Sequence, residues 1–360
     1  MEQKKLFIPG PVDVRPEVLK AFTRPMIGHR SKEASELQKG ISEKLQKVFY
    51  TDNQILLSTS TGLGLMEAAM RSLTAKRVAV FSVGAFGNKW ADIAKRNNIP
   101  YDLIEVDWGD PVTPELVEEH LSSGKYDVFT CQHNETSTGV TNPLKEIAEV
   151  KQKYPDILWL VDAVSAAVGI KAEVDNWDID VYLTSTQKAI GLPPGFSVAA
   201  VSDKAFKHAE KVEYRGRYFD LLLIKKYVDK KPYQYVSTPS IPHMYALDTQ
   251  LDYILDEEGI ENRFARHKEL RRITHKWVED NGFEFFAKDG YRSATVTTVT
   301  NNKDIPVLEL KDKMAERGYV MAPGYGKLKT DTFRIAHMAD RQIDELEEYL
   351  DTLTEEIGKL

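Results

Sequence analysis

The 360-residue chain has a single cysteine, Cys131. One thiol allows no disulfide framework within the chain and no zinc site built from several cysteines. It suits a reducing compartment, so a cytoplasmic location is expected. No window approaches the ~18 apolar residues of a membrane span. The opening residues, Met1 to Pro9, lack the apolar stretch of a signal peptide. Basic charge is not in excess: 48 Lys and Arg face 55 Asp and Glu, a formal net charge of −7 with His neutral. That balance gives no electrostatic reason to expect nucleic acid or an anionic membrane as a partner. Repeats, low-complexity tracts and a metal-ligand pattern are also missing. With 42% hydrophobic and 29% charged residues, the composition is that of a folded globular chain. At this length one large domain and a smaller one are expected.

What is present is an alternation of short apolar runs and amphipathic stretches. The runs are 77–82 (RVAVFS), 127–132 (DVFTCQ), 157–164 (ILWLVDAV), 181–186 (VYLTST) and 197–202 (SVAAVS). Their continuous apolar character suits strands buried on both faces, as in a parallel sheet. Leu37, Ile41, Leu45, Val48 and Phe49 form one helical stripe, and Thr113-Pro114-Glu115 reads as a helix start. The pattern predicts an α/β domain with a mainly parallel sheet. The last third changes character. It predicts a helix from Ile260 to Asn281, a β-rich run over 294–300 and a helix from Val307 to Arg317. A final helix carries Ile343, Leu346, Leu350, Leu353 and Ile357 on one face. These suggest a smaller α+β domain. The expected division is an N-terminal segment over 1–20 packing near the active site, a large domain over 21–255 and a small one over 256–360.

Four features carry possible chemistry. Lys188 follows an apolar strand and precedes the Gly/Pro loop Gly191-Leu192-Pro193-Pro194-Gly195. Desolvation there favours the neutral amine that condenses with a carbonyl; a lysine snorkelling to solvent is the plain alternative. Asp162 ends the apolar run Trp159-Leu160-Val161, where a charge needs a cationic partner or donors. A protonated pyridine nitrogen is one such partner, and a loop-capping aspartate is the other reading. Ser58-Thr59-Ser60-Thr61-Gly62-Leu63-Gly64 leads from an apolar run into a helix and makes a phosphate seat. It lacks the Gly-Lys-Ser/Thr of a nucleotide loop and the spacing of a dinucleotide fingerprint; a plain helix cap is the alternative. Arg334 lies in the β-like Phe333-Arg334-Ile335, fit to bind a carboxylate, or else to face water from an edge strand. Taken together, an amine, an acid and a phosphate seat match the needs of pyridoxal 5'-phosphate.

The chain resembles the class V aminotransferases of the alanine–glyoxylate and serine–pyruvate type. The resemblance runs from Ile8-Pro9-Gly10-Pro11 and Gly28-His29-Arg30 through Gly84-Ala85-Phe86-Gly87 and His133-Asn134-Glu135-Thr136-Ser137-Thr138-Gly139. It continues through the Asp162 strand and Ser185-Thr186-Gln187-Lys188 to Phe333-Arg334-Ile335. It implies the fold-type I architecture of pyridoxal-phosphate enzymes, with a seven-stranded, mainly parallel sheet. It also implies roles. Lys188 would hold the cofactor covalently and shuttle the proton, and Asp162 would keep the ring nitrogen protonated. Phe86 would stack on the ring where many relatives carry Trp, with Val164 on the opposite side. Thr136 would sit by the ring hydroxyl. Thr61, Gly62, Leu63 and Gln187 would meet the phosphate, although relatives often carry a polar residue where Leu63 stands. Tyr235 and Thr238 would reach the neighbouring subunit's phosphate, implying a homodimer with shared sites. Arg334 would clamp the substrate carboxylate, with Gly10, His29 and Arg30 nearby.

The implied activity is amino transfer from alanine or serine to a 2-oxo acid such as glyoxylate or pyruvate, by a ping-pong route. The rival is phosphoserine with 2-oxoglutarate, because His29-Arg30 invites an anion; both side chains bonding to backbone is the plain alternative. Desulfuration and elimination are disfavoured, since Phe86 and Gln187 stand where desulfurases typically carry His, and Cys131 lies in a core strand. A binding protein that keeps the fold without the chemistry is the remaining alternative.

Overall fold

The computed structural model describes residues 4–360. Strand β1 (Lys5–Phe7) comes first, and seven of the strands that follow make the larger sheet. Those seven are β2 (Gln54–Ser58), β3 (Val78–Ser82), β4 (Tyr101–Glu105) and β5 (Val128–Gln132), then β8 (Leu158–Asp162), β9 (Val181–Ser185) and β10 (Ser197–Val201). A two-stranded ladder, β6 (Asn134–Glu135) with β7 (Val140–Thr141), interrupts them. The order across the sheet is β2-β10-β9-β8-β5-β3-β4. All neighbours run parallel except β10, which is antiparallel to both β2 and β9. The apolar runs read from the sequence all become strands, and β3, β5, β8, β9 and β10 are buried along their whole length. Phe129 and Trp159 stack across β5 and β8 at 5.4 Å.

Helices cover both faces, and local sequence sets their ends. The helix Pro114–Leu121 starts where the Thr113 hydroxyl accepts the Leu116 N–H at 3.3 Å. The helix Lys32–Phe49 is capped by Ser31, buries Ile41, Leu45, Val48 and Phe49, and stops at Tyr50 in the left-handed region.

A second sheet has the order β1-β13-β14-β12-β11, from β11 (Glu284–Phe285), β12 (Val296–Thr300), β13 (Tyr319–Pro323) and β14 (Thr332–Ala336). The N-terminal strand β1 pairs parallel with β13. The long helix Ile260–Asp280 begins after Gly259 (φ +79°) and ends before Gly282 (φ +64°). The final helix, Ile343–Ile357, opens with a capping box between Gln342 and Glu345 and buries Leu346, Leu350 and Leu353. Among the described residues no helix is long and apolar enough to cross a membrane.

The two layers meet at a buried ion network. Arg263 donates to Glu258 at 2.6 Å, to Asp340 at 2.8 Å and to the Ala189 carbonyl at 2.6 Å. Gln250 donates to the Ile190 carbonyl at 2.8 Å and to Asp340 at 2.9 Å. Gly191, at φ +90°, lets this backbone pass Asp340: a Cβ there would lie 2.8 Å from its carboxylate. The loop after Lys188 is thereby tied to the long helix.

Candidate active site

The site lies at the C-terminal ends of β8 and β9, the usual place for ligands in a parallel sheet. Lys188 follows β9 and is 8% exposed. Its amine donates to the Pro9 carbonyl. Burial pushes the Lys188 amine down to about 7, and the positive charge of Arg334 adds to the effect. Gly10 packs against the lysine stem. A Cβ at Gly10 would stand 2.7 Å from Lys188 Cδ and 2.9 Å from the Gln187 carbonyl, at φ +86°.

Asp162 ends β8, with Oδ1 accepting the Val164 N–H at 2.9 Å. Burial pushes its carboxyl up to about 6, and the negative charge of Glu135 contributes. No cation is bonded to it among the described residues, so a buried carboxylate waits for a positive partner.

The helix Gly62–Leu73 follows β2. Its N-cap, Thr61, makes no side-chain cap, and the Gly62 and Leu63 N–H groups have no protein acceptor among the described residues. Free N–H groups at a helix start attract a phosphate. A Cβ on Gly62 would collide with Val164 Cγ2 at 2.5 Å. The Leu63 side chain is exposed. Gln187 accepts a hydrogen bond from Ser185.

Phe86 begins the helix Gly87–Arg96, and its ring centroid is 6.0 Å from the Lys188 amine. Thr136 is buried with its hydroxyl on Ser165. Arg334, 8% exposed, is in β14, between β12 and β13. It therefore does not face water from an edge. Its Nε donates to the Pro323 carbonyl at 3.1 Å and one η nitrogen to the Thr136 carbonyl at 3.3 Å. The other η nitrogen has no protein partner among the described residues and is free for a carboxylate. Lys188, Asp162, Gly62, Phe86, Thr136, Val164, Gly10 and Arg334 thus converge.

The remaining candidates stand apart from that cluster. The Tyr235 hydroxyl accepts the Thr59 N–H of the same chain at 2.7 Å, beside the helix start, and Thr238 is exposed. Arg30 donates to the carbonyls of Tyr235 and, at 3.2 Å, of Ser237. His29 is partly exposed and makes no hydrogen bond among the described residues.

Glu135 is the residue that sequence reading leaves without a role. It is fully buried and accepts from Gly87 N at 2.9 Å, Ser137 N at 2.9 Å, Ser137 Oγ at 2.6 Å and Phe86 N at 3.1 Å. Burial raises its carboxyl, while these donors favour the ionised form. It fixes Phe86 and the Thr136 segment to one another. Gly84 makes the room, since a Cβ there would fall 2.5 Å from Glu135 Cγ.

The family profile described as Aminotransferase class-V matches residues 17–324. The chain belongs to the class-V aminotransferases. A curated relative, an uncharacterized aminotransferase of Methanocaldococcus jannaschii, is 41% identical over 93% of this chain and 88% of its own length. A serine–glyoxylate aminotransferase of Arabidopsis thaliana is 33% identical over 93% of this chain and 85% of its own. Among solved structures, an alanine–glyoxylate aminotransferase from Nostoc sp. superimposes with a TM-score of 0.93 at 26% identity, covering 99% of this chain and 96% of that one. This class-V aminotransferase therefore has the α/β, fold-type I architecture expected from its sequence, and the family implies pyridoxal phosphate as cofactor. The aminotransferase keeps Cys131 fully buried, its sulfur accepting from Trp159 Nε1 at 3.3 Å. Burial pushes that thiol up to about 12, far from the thiolate that desulfuration needs.

Proposed function

We propose that the chain binds pyridoxal 5'-phosphate and transfers the amino group of alanine or serine to a 2-oxo acid such as glyoxylate or pyruvate. The observation that carries this reading is the convergence of a buried lysine amine whose charge burial disfavours, a buried unpaired carboxylate and an arginine with one free edge. The cradle fits the cofactor. Asp162 would pair with the ring nitrogen, Gly62 and Leu63 N–H groups with the phosphate, and Phe86 and Val164 with the ring faces. When bound, the cofactor supplies an aldehyde that condenses with amines and a ring that draws electrons from the substrate Cα.

The residues of this chain do the rest. Arg334 holds the substrate carboxylate and so fixes the Cα–H bond relative to the ring. Lys188 Nζ, its charge disfavoured by burial, would take the proton from the substrate Cα and hold it for return to the product. Asp162 stays ionised once a cation lies against it, which keeps that cation in place. The Pro9 carbonyl gives the lysine amine a resting acceptor.

Phosphoserine with 2-oxoglutarate is the weaker reading. The Arg30 guanidinium is occupied by backbone carbonyls of 235 and 237. The active unit is proposed to be a cytoplasmic homodimer. Leu63 and Tyr218 are exposed beside the helix start, where a second copy would complete the site.

The test is glycine formation from glyoxylate with alanine, serine or phosphoserine as donor. Parallel-line ping-pong kinetics with the first two are expected. A strong preference for phosphoserine, or no amino transfer from alanine or serine to glyoxylate or pyruvate, contradicts the proposal. Arg334→Ala is expected to lower kcat/KM by about 10²-fold or more, for amino and oxo acids alike, because both ends of the reaction present a carboxylate.

A further inference from the structure

The loop between β13 and β14 places one more side chain at the mouth of the site. The Tyr325 ring centroid is 5.1 Å from that of Phe86, tilted by 36°, and 5.5 Å from the Arg334 guanidinium carbon. Its hydroxyl makes no hydrogen bond among the described residues, and the residue is 37% exposed. It touches the two groups that would define where a substrate lies, and no part of the chemistry above uses it.

The loop that carries Tyr325 is held in shape. Gly324 donates to the Thr332 carbonyl at 2.9 Å, and a Cβ on Gly324 would sit 1.8 Å from the Leu328 carbonyl oxygen. Gly326 takes φ +59°, and Leu328 N–H closes the turn on the Tyr325 carbonyl at 3.1 Å. Lys327 rests over the Trp108 ring at 4.1 Å, which fastens the loop to the segment after β4. The base of the loop is fixed by Arg334 itself, through the Pro323 carbonyl. The ring is therefore presented at a set distance from the arginine.

A donor amino acid has three points to place. Its carboxylate goes to the free edge of Arg334, and its nitrogen and Cα–H go toward the Lys188 amine. The side chain takes what is left. The Tyr325 ring packs within 5.5 Å of both the Phe86 ring and the Arg334 guanidinium, so it takes up space beside a donor held by that arginine. A methyl or hydroxymethyl group fits beside such a wall more readily than a branched chain.

We propose that Tyr325 is a specificity-determining residue, the wall that restricts the donor to small side chains. This rests on the transaminase reading above. The ring, rather than the hydroxyl, sets the limit. Shape discrimination by an apolar wall is worth about 10- to 200-fold per methylene, so removing the ring has a measurable effect.

The experiment compares wild type, Tyr325→Ala and Tyr325→Phe, each loaded with pyridoxal phosphate. Two quantities are read. One is the ratio of single-turnover kcat/KM for leucine to that for alanine, followed by loss of the cofactor's visible absorbance. The other is the ratio of Kd values for two unreactive carboxylates, 4-methylpentanoate and propanoate, from the absorbance shift they cause. Tyr325→Ala is expected to raise the first ratio by about tenfold or more and to lower the second in the same sense. Tyr325→Phe is expected to leave both within about twofold of wild type. If Tyr325→Ala matches wild type in both ratios while wild type turns over alanine, the proposal is overturned and the transaminase reading stands. If wild type takes up no cofactor or responds to no donor, the transaminase reading fails and the proposal falls with it.

Discussion

Lys188→Ala is expected to leave a folded protein whose turnover is lowered by at least about 10³- to 10⁴-fold. Both the covalent attachment and the proton transfer lose the amine assigned to them, and positioned proton transfer alone contributes about 10² to 10⁴. Folding is spared because the lysine is a reluctant ion in the native state. Its amine sits near 7 instead of 10.5, so burial already works against the charged form. The same shift predicts a pH dependence in wild type. The neutral amine attacks an aldehyde, and its fraction grows as pH rises through about 7. Covalent capture of added pyridoxal phosphate is therefore expected to speed up between pH 6 and 8 and then level off, read by stopped-flow absorbance. An exposed lysine, titrating near ~10.4, would keep gaining rate far above that range. Lys188→Ala with wild-type turnover would remove the amine from the mechanism.

Arg263→Met is expected to cost about 3–5 kcal/mol of stability, the typical loss when one member of a buried ion network is removed. The substitution keeps most of the volume and takes away three hydrogen bonds. Glu258 and Asp340 then lose their shared cation, and the Ala189 carbonyl loses its donor. Urea denaturation checks this. A loss below about 1 kcal/mol would mean that water or neighbouring Arg266, which also bonds Glu258, takes over. The second consequence concerns the site. Ala189 adjoins Lys188, so the freed loop is expected to loosen the lysine and weaken cofactor retention even where the variant remains folded.

Much of the larger sheet can be read in the sequence because its central strands are buried on both faces and spell continuous apolar runs. The edge strand β4 cannot be read that way. Its residues Tyr101–Glu105 are half-exposed and mix charged with apolar side chains. β1 has three residues and gains its meaning only from β13, more than three hundred positions away. Lys188 and Asp162 are legible because each is a polar residue at the end of an apolar run. Arg334 is legible as a residue but not in its surroundings: sequence leaves an edge strand open, whereas β14 has a partner on each side. Glu135, Arg263 and Tyr325 carry no such local mark. Glu135 depends on N–H groups at 86 and 87, Arg263 on 189, 258 and 340, and Tyr325 on 86 and 334. Long-range pairing of this kind leaves no periodicity in a single chain. Arg30 illustrates the converse. A basic pair before a helix suggests an anion site, yet the structure gives its guanidinium to carbonyls of 235 and 237.

The most direct measurement is the visible spectrum of the purified wild-type chain, titrated with pyridoxal phosphate and then with alanine or serine. Expected is a yellow absorbance that saturates at one cofactor per chain, is missing in Lys188→Ala, and bleaches as pyruvate or hydroxypyruvate accumulates. A chain that is colourless once excess pyridoxal phosphate has been removed by desalting would contradict the transaminase reading and leave a binding protein on an aminotransferase fold.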